Sequence, residues 1–232
     1  MLVTLGALLG KTTWPQFFVL ATAELFLYTF NRALCEGIFH AIDMGGSIYI
    51  HAFGAYFGIA AARHFYVKEA YEDAEERCKG SYTSWLLAAV GTLFSFMFWP
   101  SYNAALATGA TQVRIVINSV LALTASTLTG AYTCLMSRGK FNVMVIMNAS
   151  LAGGVVTGAA GEVMFAPWEA IAAGGLVGVI SGLFYLGSEK CCTAKSGTHD
   201  TCGVQFSHGI PGIIGAGIVA VKAIAMESEM TE

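Results

Sequence analysis

Charged residues are scarce in this sequence. They make up 12% of its 232 residues, about half the usual share in a soluble domain, which is roughly 25%. Hydrophobic residues make up 56%, and the mean hydropathy is +0.64. The 27 glycines are typical of helices that pack closely in lipid. The sequence therefore predicts an all-α polytopic membrane protein, and its net charge of −3 is too small to indicate a nucleic acid or an acidic partner.

Metal-ligand spacing is also missing. The six cysteines form no pattern that would hold a metal ion, so we predict no metal site. The adjacent pair Cys191 and Cys192, at a predicted helix end, is open to two interpretations: palmitoylation or a pair of reduced surface thiols. Residues 1–10 are apolar but follow no basic segment, so a cleavable signal peptide is not indicated.

Apolar segments that approach the length of a membrane span, about 20 residues, recur along the chain. The predicted spans are 14–31, 43–65, 82–99, 114–136, 141–163, 167–187 and 201–221. Residues 1–9 are too short to span and resemble the last part of a helix. We expect Pro100 to stop the third span, because proline cannot donate a helical hydrogen bond. The chain is thus predicted to form one transmembrane domain over 1–232, with about seven full helices and a partial one.

The lysines and arginines give this topology an orientation. With alternating connections, nine of the twelve basic residues fall on one side, which the positive-inside rule makes cytoplasmic. Loops 63–80, 137–141 and 188–199 are therefore predicted to be cytoplasmic. The three remaining basic residues, on the other side, are Arg32, Arg114 and Lys222.

One acidic residue lies inside the first span. A carboxylate at the centre of a bilayer costs roughly 2.5–3.5 kcal/mol on insertion scales. Glu24 should therefore face other helices. We interpret it as an internal hydrogen-bonding group rather than a substrate site.

A polar pattern occurs twice within this apolar chain. Asp43 is followed by glycine at the third position, His51 at the eighth and glycine at the fifteenth, and the same order follows Asp200, with His208 at the eighth position. The first copy enters the membrane from the outside and the second from the inside. Eight helical residues rise about 12 Å, so both histidines come near the middle of a hydrocarbon core about 30 Å thick. Such an antiparallel repeat is typical of transporters with a midplane site.

Two neutral imidazoles suit a small polar guest in an apolar conduit. Each ring has one donor and one acceptor nitrogen, so the rings can pair and still offer one nitrogen each. Burial disfavours their charged form. Two other interpretations stay open: each histidine can serve as an ordinary helix–helix hydrogen bond, or the two can form a bis-histidine haem site. Asp43 and Asp200 can cap their helices or draw cations.

Four segments in this order resemble the Rhesus glycoproteins of the ammonium transporter superfamily. They are DMGGS…HAFGAYFG at 43–58, WPSYN at 99–103, NASLAGG at 148–154 and DTCG…HGIPGI at 200–213. The resemblance covers about residues 1–221. It implies a non-enzymatic, cofactor-free channel for ammonia, with carbon dioxide as a second proposed substrate. His51 and His208 would be the family's twin histidines.

The resemblance also implies an inverted-repeat fold and a homotrimer of eleven- or twelve-helix protomers, in the plasma membrane by expectation. Residues 1–66 would end the first repeat and 81–225 would form the second, so we expect the chain to be a fragment. Tyr102 matches one ring of the family's phenylalanine gate, and Asn103 is a candidate for the outer vestibule. The basic Arg32, where the family usually has an acid, would repel ammonium. A non-conducting sensor or structural partner remains the alternative function.

Overall fold

The computed structural model describes residues 1–65, 80–187 and 197–231. Its eight α-helices are α1 Leu2–Leu8, α2 Trp14–Gly37, α3 Phe53–His64, α4 Tyr82–Asn103, α5 Gly109–Arg138, α6 Val143–Ala160, α7 Pro167–Gly187 and α8 Ile210–Thr231. Two π-helical segments precede α3 and α8; we call Ser47–Ala52 the first π segment and Gln205–Gly209 the second. Most of the predicted loop 63–80, together with Cys191 and Cys192, lies outside the described residues.

The all-helical membrane fold is confirmed. Within the described ranges, five helical segments are long and apolar enough to cross a membrane, namely α2, α4, α5, α6 and 205–228. The other two predicted spans correspond to α7, whose apolar part is Pro167–Leu183, and to the first π segment joined to α3. The short apolar helix at the start of the chain is α1.

The prediction that Pro100 ends the third span is wrong. Helix α4 continues through Pro100 to Asn103. Proline lacks only its own N–H, and near the end of a helix its carbonyl can still be used. The Pro100 carbonyl accepts a hydrogen bond from the Ala104 N–H at 3.2 Å. Tyr102 and Asn103 are therefore held on the same rigid helix as the residues before the proline.

Contacts at the two ends of the bundle agree with alternating helix directions. At one end, the Arg114 Nε at the start of α5 donates to the Glu162 carbonyl just after α6, at 2.9 Å. At the same end, Lys222 of α8 forms an ion pair with Glu169 near the start of α7. At the opposite end, the Lys11 ammonium donates to Thr201. Which end is cytoplasmic stays a prediction.

Small residues let α5 and α7 approach closely. An added Cβ on Gly174 would lie 2.6 Å from the Ala122 Cα, and one on Gly178 would lie 2.7 Å from the Ser126 Cα. Real side chains do not tolerate such distances, so only glycine fits at both positions. In lipid, where no hydrophobic force drives helices together, this close packing is a main source of association.

Glu24 is buried, with 2% of its surface exposed. Its Oε1 accepts hydrogen bonds from the Thr4 hydroxyl at 2.7 Å and from the amino group of Met1 at 2.8 Å. The expectation that it faces other helices as an internal hydrogen-bonding group is confirmed.

Asn103 fixes the end of α4 to two other helices. Its side chain is fully buried. The Nδ2 donates to the Ser119 Oγ of α5 at 3.0 Å and to the Gly154 carbonyl and Thr157 Oγ1 of α6 at 3.0 and 3.2 Å. A residue with no exposed surface does not line a vestibule in this structure, and these contacts fit the structural role instead.

We predict that Asn103→Leu destabilises the protein, because it removes a donor shared by three buried acceptors. Each lost hydrogen bond costs about 1 kcal/mol, so the free energy of unfolding should fall by about 2–3 kcal/mol. Thermal unfolding of the purified full-length protein in detergent would measure this. Ser101→Ala, which removes an exposed hydroxyl from the same helix, is the control. Equal melting temperatures for the two variants would contradict the assignment.

Candidate functional site

Both copies of the sequence repeat fold in the same way. His51 lies in the first π segment and His208 in the second. The glycine before each segment has a positive φ, 77° at Gly46 and 70° at Gly203, a conformation that favours glycine. Single π-helical turns are rare and often mark functional sites. The repeat is therefore present in the backbone as well as in the residue order.

The aspartates of the repeat bind the first N–H groups of these helices. Asp43 Oδ2 accepts from the N–H groups of Ile48 and Tyr49 at 2.7 and 2.9 Å. The Asp200 carboxylate accepts from the backbone N–H groups four and five residues further on, at 3.0 and 2.9 Å. The positive end of a helix dipole favours such a carboxylate. Burial raises the pKa of Asp200, and these two hydrogen bonds oppose that rise.

The predicted start of each repeat helix is displaced. The helices begin at Ser47 and Gln205 rather than at 43 and 201. The left-handed glycine turns the chain between each aspartate and its helix, so the carboxylate reaches back to cap from outside.

A serine anchors the first π segment on α6. The Ser47 Oγ donates to the Val155 carbonyl at 2.5 Å and accepts from the Ala159 N–H at 2.6 Å. An uninterrupted helix would pair those two backbone groups with each other. The hydroxyl therefore enters the hydrogen-bond ladder of α6, which fixes the helix that carries His51.

The glycines at the fifteenth position let each repeat helix cross a neighbour closely. A Cβ on Gly58 would lie 2.9 Å from the Thr4 Cα in α1, and one on Gly215 would lie 2.7 Å from the Val156 carbonyl oxygen in α6. The two crossings are equivalent under the repeat. Each crossing holds its repeat helix, α3 or α8, closely against a neighbouring helix.

The two imidazoles meet. Their ring centroids are 5.3 Å apart and the rings are tilted by 50°. His51 is 5% exposed. Both nitrogens of His51 and the Nδ1 of His208 are buried without a hydrogen-bond partner among the described residues. The rings thus touch without pairing, contrary to our expectation, and leave their nitrogens open to a guest.

This spacing does not suit a haem between the two rings. Metal–nitrogen bonds of about 2 Å would hold the centroids of two opposed imidazoles roughly 6 Å apart or more, with a macrocycle between them. The observed 5.3 Å is shorter. Across the described ranges, no group of three or more His, Cys, Asp or Glu side chains is placed to hold a metal ion.

Trp99 joins the histidine pair and was not among the predicted site residues. Its indole stacks on His51 with centroids 5.6 Å apart and an angle of 22° between the planes. It lies 6.5 Å from the ring of His208. One signal could have found it: Trp99 is three residues before Tyr102 on one helix, and such residues share a face.

Tyr102 lies at the open side of the cluster. Its ring meets His51 edge-on at 6.2 Å, and it is 43% exposed. Tyr102, Trp99 and His51 line one cavity of about 530 Å³, together with apolar residues such as Ile50 and Phe98. Tyr102 thus shares the wall of this cavity with His51 and Trp99, and its expected role as a gate stays a prediction.

The whole chain, residues 1–232, matches the sequence profile of the Ammonium Transporter Family. It is 41% identical to ammonium transporter Rh type B of Xenopus tropicalis over 99% of the chain and 50% of that protein. It is 39% identical to ammonium transporter Rh type A of Canis lupus familiaris over 97% of the chain and 55% of that protein. The chain thus spans about half the length of these curated relatives.

Solved structures give the same fold. A structure of Nitrosomonas europaea Rh50, described with the mechanism of conduction by the Rhesus protein family of channels, superposes with a TM-score of 0.81 at 29% identity, over 92% of this chain and 57% of that one. A sensor Amt protein superposes with a TM-score of 0.63 over 78% of this chain and 44% of that one. At 22% identity, the second likeness concerns the fold alone.

We predict that Gly154→Ala displaces the Trp99 indole. The new Cβ would lie 2.7 Å from the indole Cδ1, so the ring must move away from its place beside His51. Overpacking of this kind costs about 1–3 kcal/mol. A shifted indole in an experimental structure, with a lower melting temperature, is the expected result.

The matched control is Gly91→Ala on the same helix as Trp99, where an added Cβ meets nothing within 4 Å. An unmoved Trp99 ring in the Gly154→Ala variant would contradict the packing described above.

Proposed function

The chain belongs to the Ammonium Transporter Family, and we propose that the protein is a membrane channel that conducts neutral ammonia past His51 and His208. The observation that carries this proposal is the meeting of two imidazoles from antiparallel helices, 5.3 Å apart, of which both nitrogens of the buried His51 and the Nδ1 of the half-buried His208 have no hydrogen-bond partner in the part of the chain that the structure describes. Unpaired polar nitrogens in an apolar setting are costly, and a small polar guest would satisfy them.

Selectivity follows from the cost of desolvation. An ion that entered the apolar constriction would lose its hydration at high cost, whereas a neutral molecule loses only a few hydrogen bonds. The two imidazoles replace some of those, since each neutral ring offers one donor and one acceptor. Ammonium therefore gives its proton to water before the pair or to an acceptor nitrogen of an imidazole at the pair, and the conducted species is ammonia. Carbon dioxide, also neutral, is the second candidate guest.

In this proposal Tyr102 acts as a gate. Its ring meets His51 edge-on at 6.2 Å and lines the same cavity, and the guest passes when the ring turns aside. The phenol differs from the family's phenylalanine by a hydroxyl that can hydrogen-bond a guest at the entrance. Asp43 and Asp200 act chiefly through the helix ends that they cap, and Asn103 through the α4–α6 contact. The assembly is a homotrimer in the plasma membrane, with one pore in each protomer.

The first test is transport by the full-length protein in vesicles. An inward ammonium gradient should raise internal pH far faster than in empty vesicles, because ammonia enters and binds protons. We expect His51→Ala with His208→Ala to change this rate by about ten-fold or more, or to make the flux electrogenic, because the variant loses the hydrogen-bonding groups of the constriction. Stopped-flow fluorescence of a trapped pH dye, with a parallel recording of current, measures both.

A wild type no faster than empty vesicles would contradict the channel and favour the alternative, a non-conducting sensor or structural partner. A double variant that matches the wild type in rate and charge would reject the histidine pair as the selective element. His64→Ala is the control, because His64 lies at the end of α3, outside the ring cluster.

Arg32 is paired at the outer end of α2. Its Nε donates to the Glu36 Oε1 at 2.8 Å, one helical turn away. Both side chains are exposed by nearly half. The repulsion of ammonium that we expected from a lone Arg32 is therefore offset by Glu36, and we place this ion pair at the rim of the outer vestibule.

We predict that Glu36→Gln raises the ammonium concentration for half-maximal flux by about two-fold, the range of a surface charge pair, because it leaves Arg32 uncompensated. Arg32→Gln should lower it, and high salt should reduce both differences. Initial rates of internal alkalinisation over a series of ammonium concentrations measure the shift. Equal half-maximal ammonium concentrations for the Glu36→Gln and Arg32→Gln variants would contradict a role of this ion pair in binding the cation.

A further inference from the structure

The indole nitrogen of Trp99 is a buried donor without an acceptor. Its Nε1 has no hydrogen-bond partner among the described residues. Buried indole N–H groups usually find one, and even the only partly buried Trp85 donates its own to the Gly80 carbonyl, 3.0 Å away. The missing partner of Trp99 therefore needs a reason.

The surrounding protein cannot supply the acceptor. Gly154 lies over the five-membered ring of the indole, where an added Cβ would be 2.4 Å from both Cε2 and Nε1, and its carbonyl already accepts from Asn103 Nδ2 at 3.0 Å and Thr157 Oγ1 at 3.1 Å. A carbonyl oxygen has two lone pairs, so both are used. His51 stacks on the face of the indole, and an N–H that lies in the ring plane does not point at a ring stacked on its face.

The position of this donor relates it to the proposed pore. Trp99 touches His51 and lies 6.5 Å from the ring of His208, and it lines the same cavity as His51 and Tyr102. A guest in this cavity lies beside both Trp99 and His51, and His208 is in contact with His51. Other buried polar atoms of the described residues also lack a partner, among them Glu24 Oε2 and Ser181 Oγ, but His51, His208 and Trp99 are unpaired and in mutual ring contact.

The chemistry of the group selects among guests. An indole N–H is a donor only, so it needs a lone pair on its partner. Ammonia has one lone pair, whereas ammonium has none and presents only N–H groups. The indole could still attract a cation by its face, but His51 covers one face.

We propose that the Trp99 Nε1–H donates a hydrogen bond to the lone pair of neutral ammonia in the constriction and thereby discriminates against ammonium. This assignment rests on the proposed channel function and names a third polar group beside the two histidines. It makes Trp99 a specificity-determining residue rather than a purely structural one.

The test replaces the donor and keeps the ring. Trp99→Phe removes the N–H and retains an aromatic ring, and the sulfur isostere of tryptophan, benzothienylalanine, placed at position 99 retains the shape of the indole as well. Ammonia flux in vesicles containing the full-length protein should fall about five-fold in both variants, the effect of one lost hydrogen bond of about 1 kcal/mol. The ratio of charge moved to ammonia moved should rise.

The control is Trp85→Phe, which removes an indole N–H at the protein surface and should leave flux and charge ratio at wild-type values. Unchanged flux in the isostere variant would overturn the proposal, and so would a lower flux with an unchanged charge ratio, which a packing defect alone would give. A wild type that conducts while the isostere variant keeps its flux refutes only this inference. A wild type that does not conduct refutes the channel function itself.

Discussion

Hydrogen bonding without water is the constraint on which this structure depends. Inside a bilayer, a polar group must find its partner within the protein. Asn103 donates to three acceptors on two helices, and Ser47 fills a gap in the ladder of α6. These bonds fix the helices around the histidines. Buried polar atoms without a partner occur at several places in the described residues, but the nitrogens of His51, His208 and Trp99 are the ones that cluster together, where the proposed guest would pass.

The inverted repeat explains how two helices from opposite sides place equivalent residues at one depth. Each copy uses an aspartate to cap from outside, a glycine of positive φ to turn the chain, and a π-helical turn that holds the histidine. The same distance from cap to histidine in both copies makes the two depths equal. Gly58 and Gly215 allow each helix to cross its neighbour closely. Because the spacing from aspartate to histidine is the same in both copies, we expect that adding or removing one residue in one copy would separate the rings.

The contact between His51 and His208 could be predicted from the sequence. Polar residues are costly in an apolar chain, and their repetition at one spacing indicates a shared site. The burial of Glu24 could also be predicted, from the cost of placing a carboxylate in lipid.

The roles of Trp99 and Asn103 could not be predicted from the sequence in the same way. An aromatic ring in a span looks the same whether it faces lipid or a pore, and only its packing against a glycine of α6 distinguishes Trp99. The acceptors around Asn103 come from segments 16 to 54 residues away, so its burial is decided by tertiary packing. The late starts of the two repeat helices likewise depend on a backbone turn that no periodicity reveals.

The polar groups of the cluster differ in whether they can donate or accept a hydrogen bond. In the proposed channel this difference selects among the possible guests. Tyr102, at the exposed side, carries a hydroxyl that can donate or accept, so it can contact ammonium, ammonia or water alike. Trp99, one turn earlier on α4, can only donate, so it favours a guest with a free lone pair. The two imidazoles can each do both, but only while neutral. Along the proposed route a guest therefore meets a hydroxyl that binds any of these species, an N–H that requires a lone pair, and two imidazoles that favour a neutral guest because a charge there would be stripped of its hydration. The combination favours ammonia over ammonium, because only ammonia offers the lone pair that the Trp99 N–H requires.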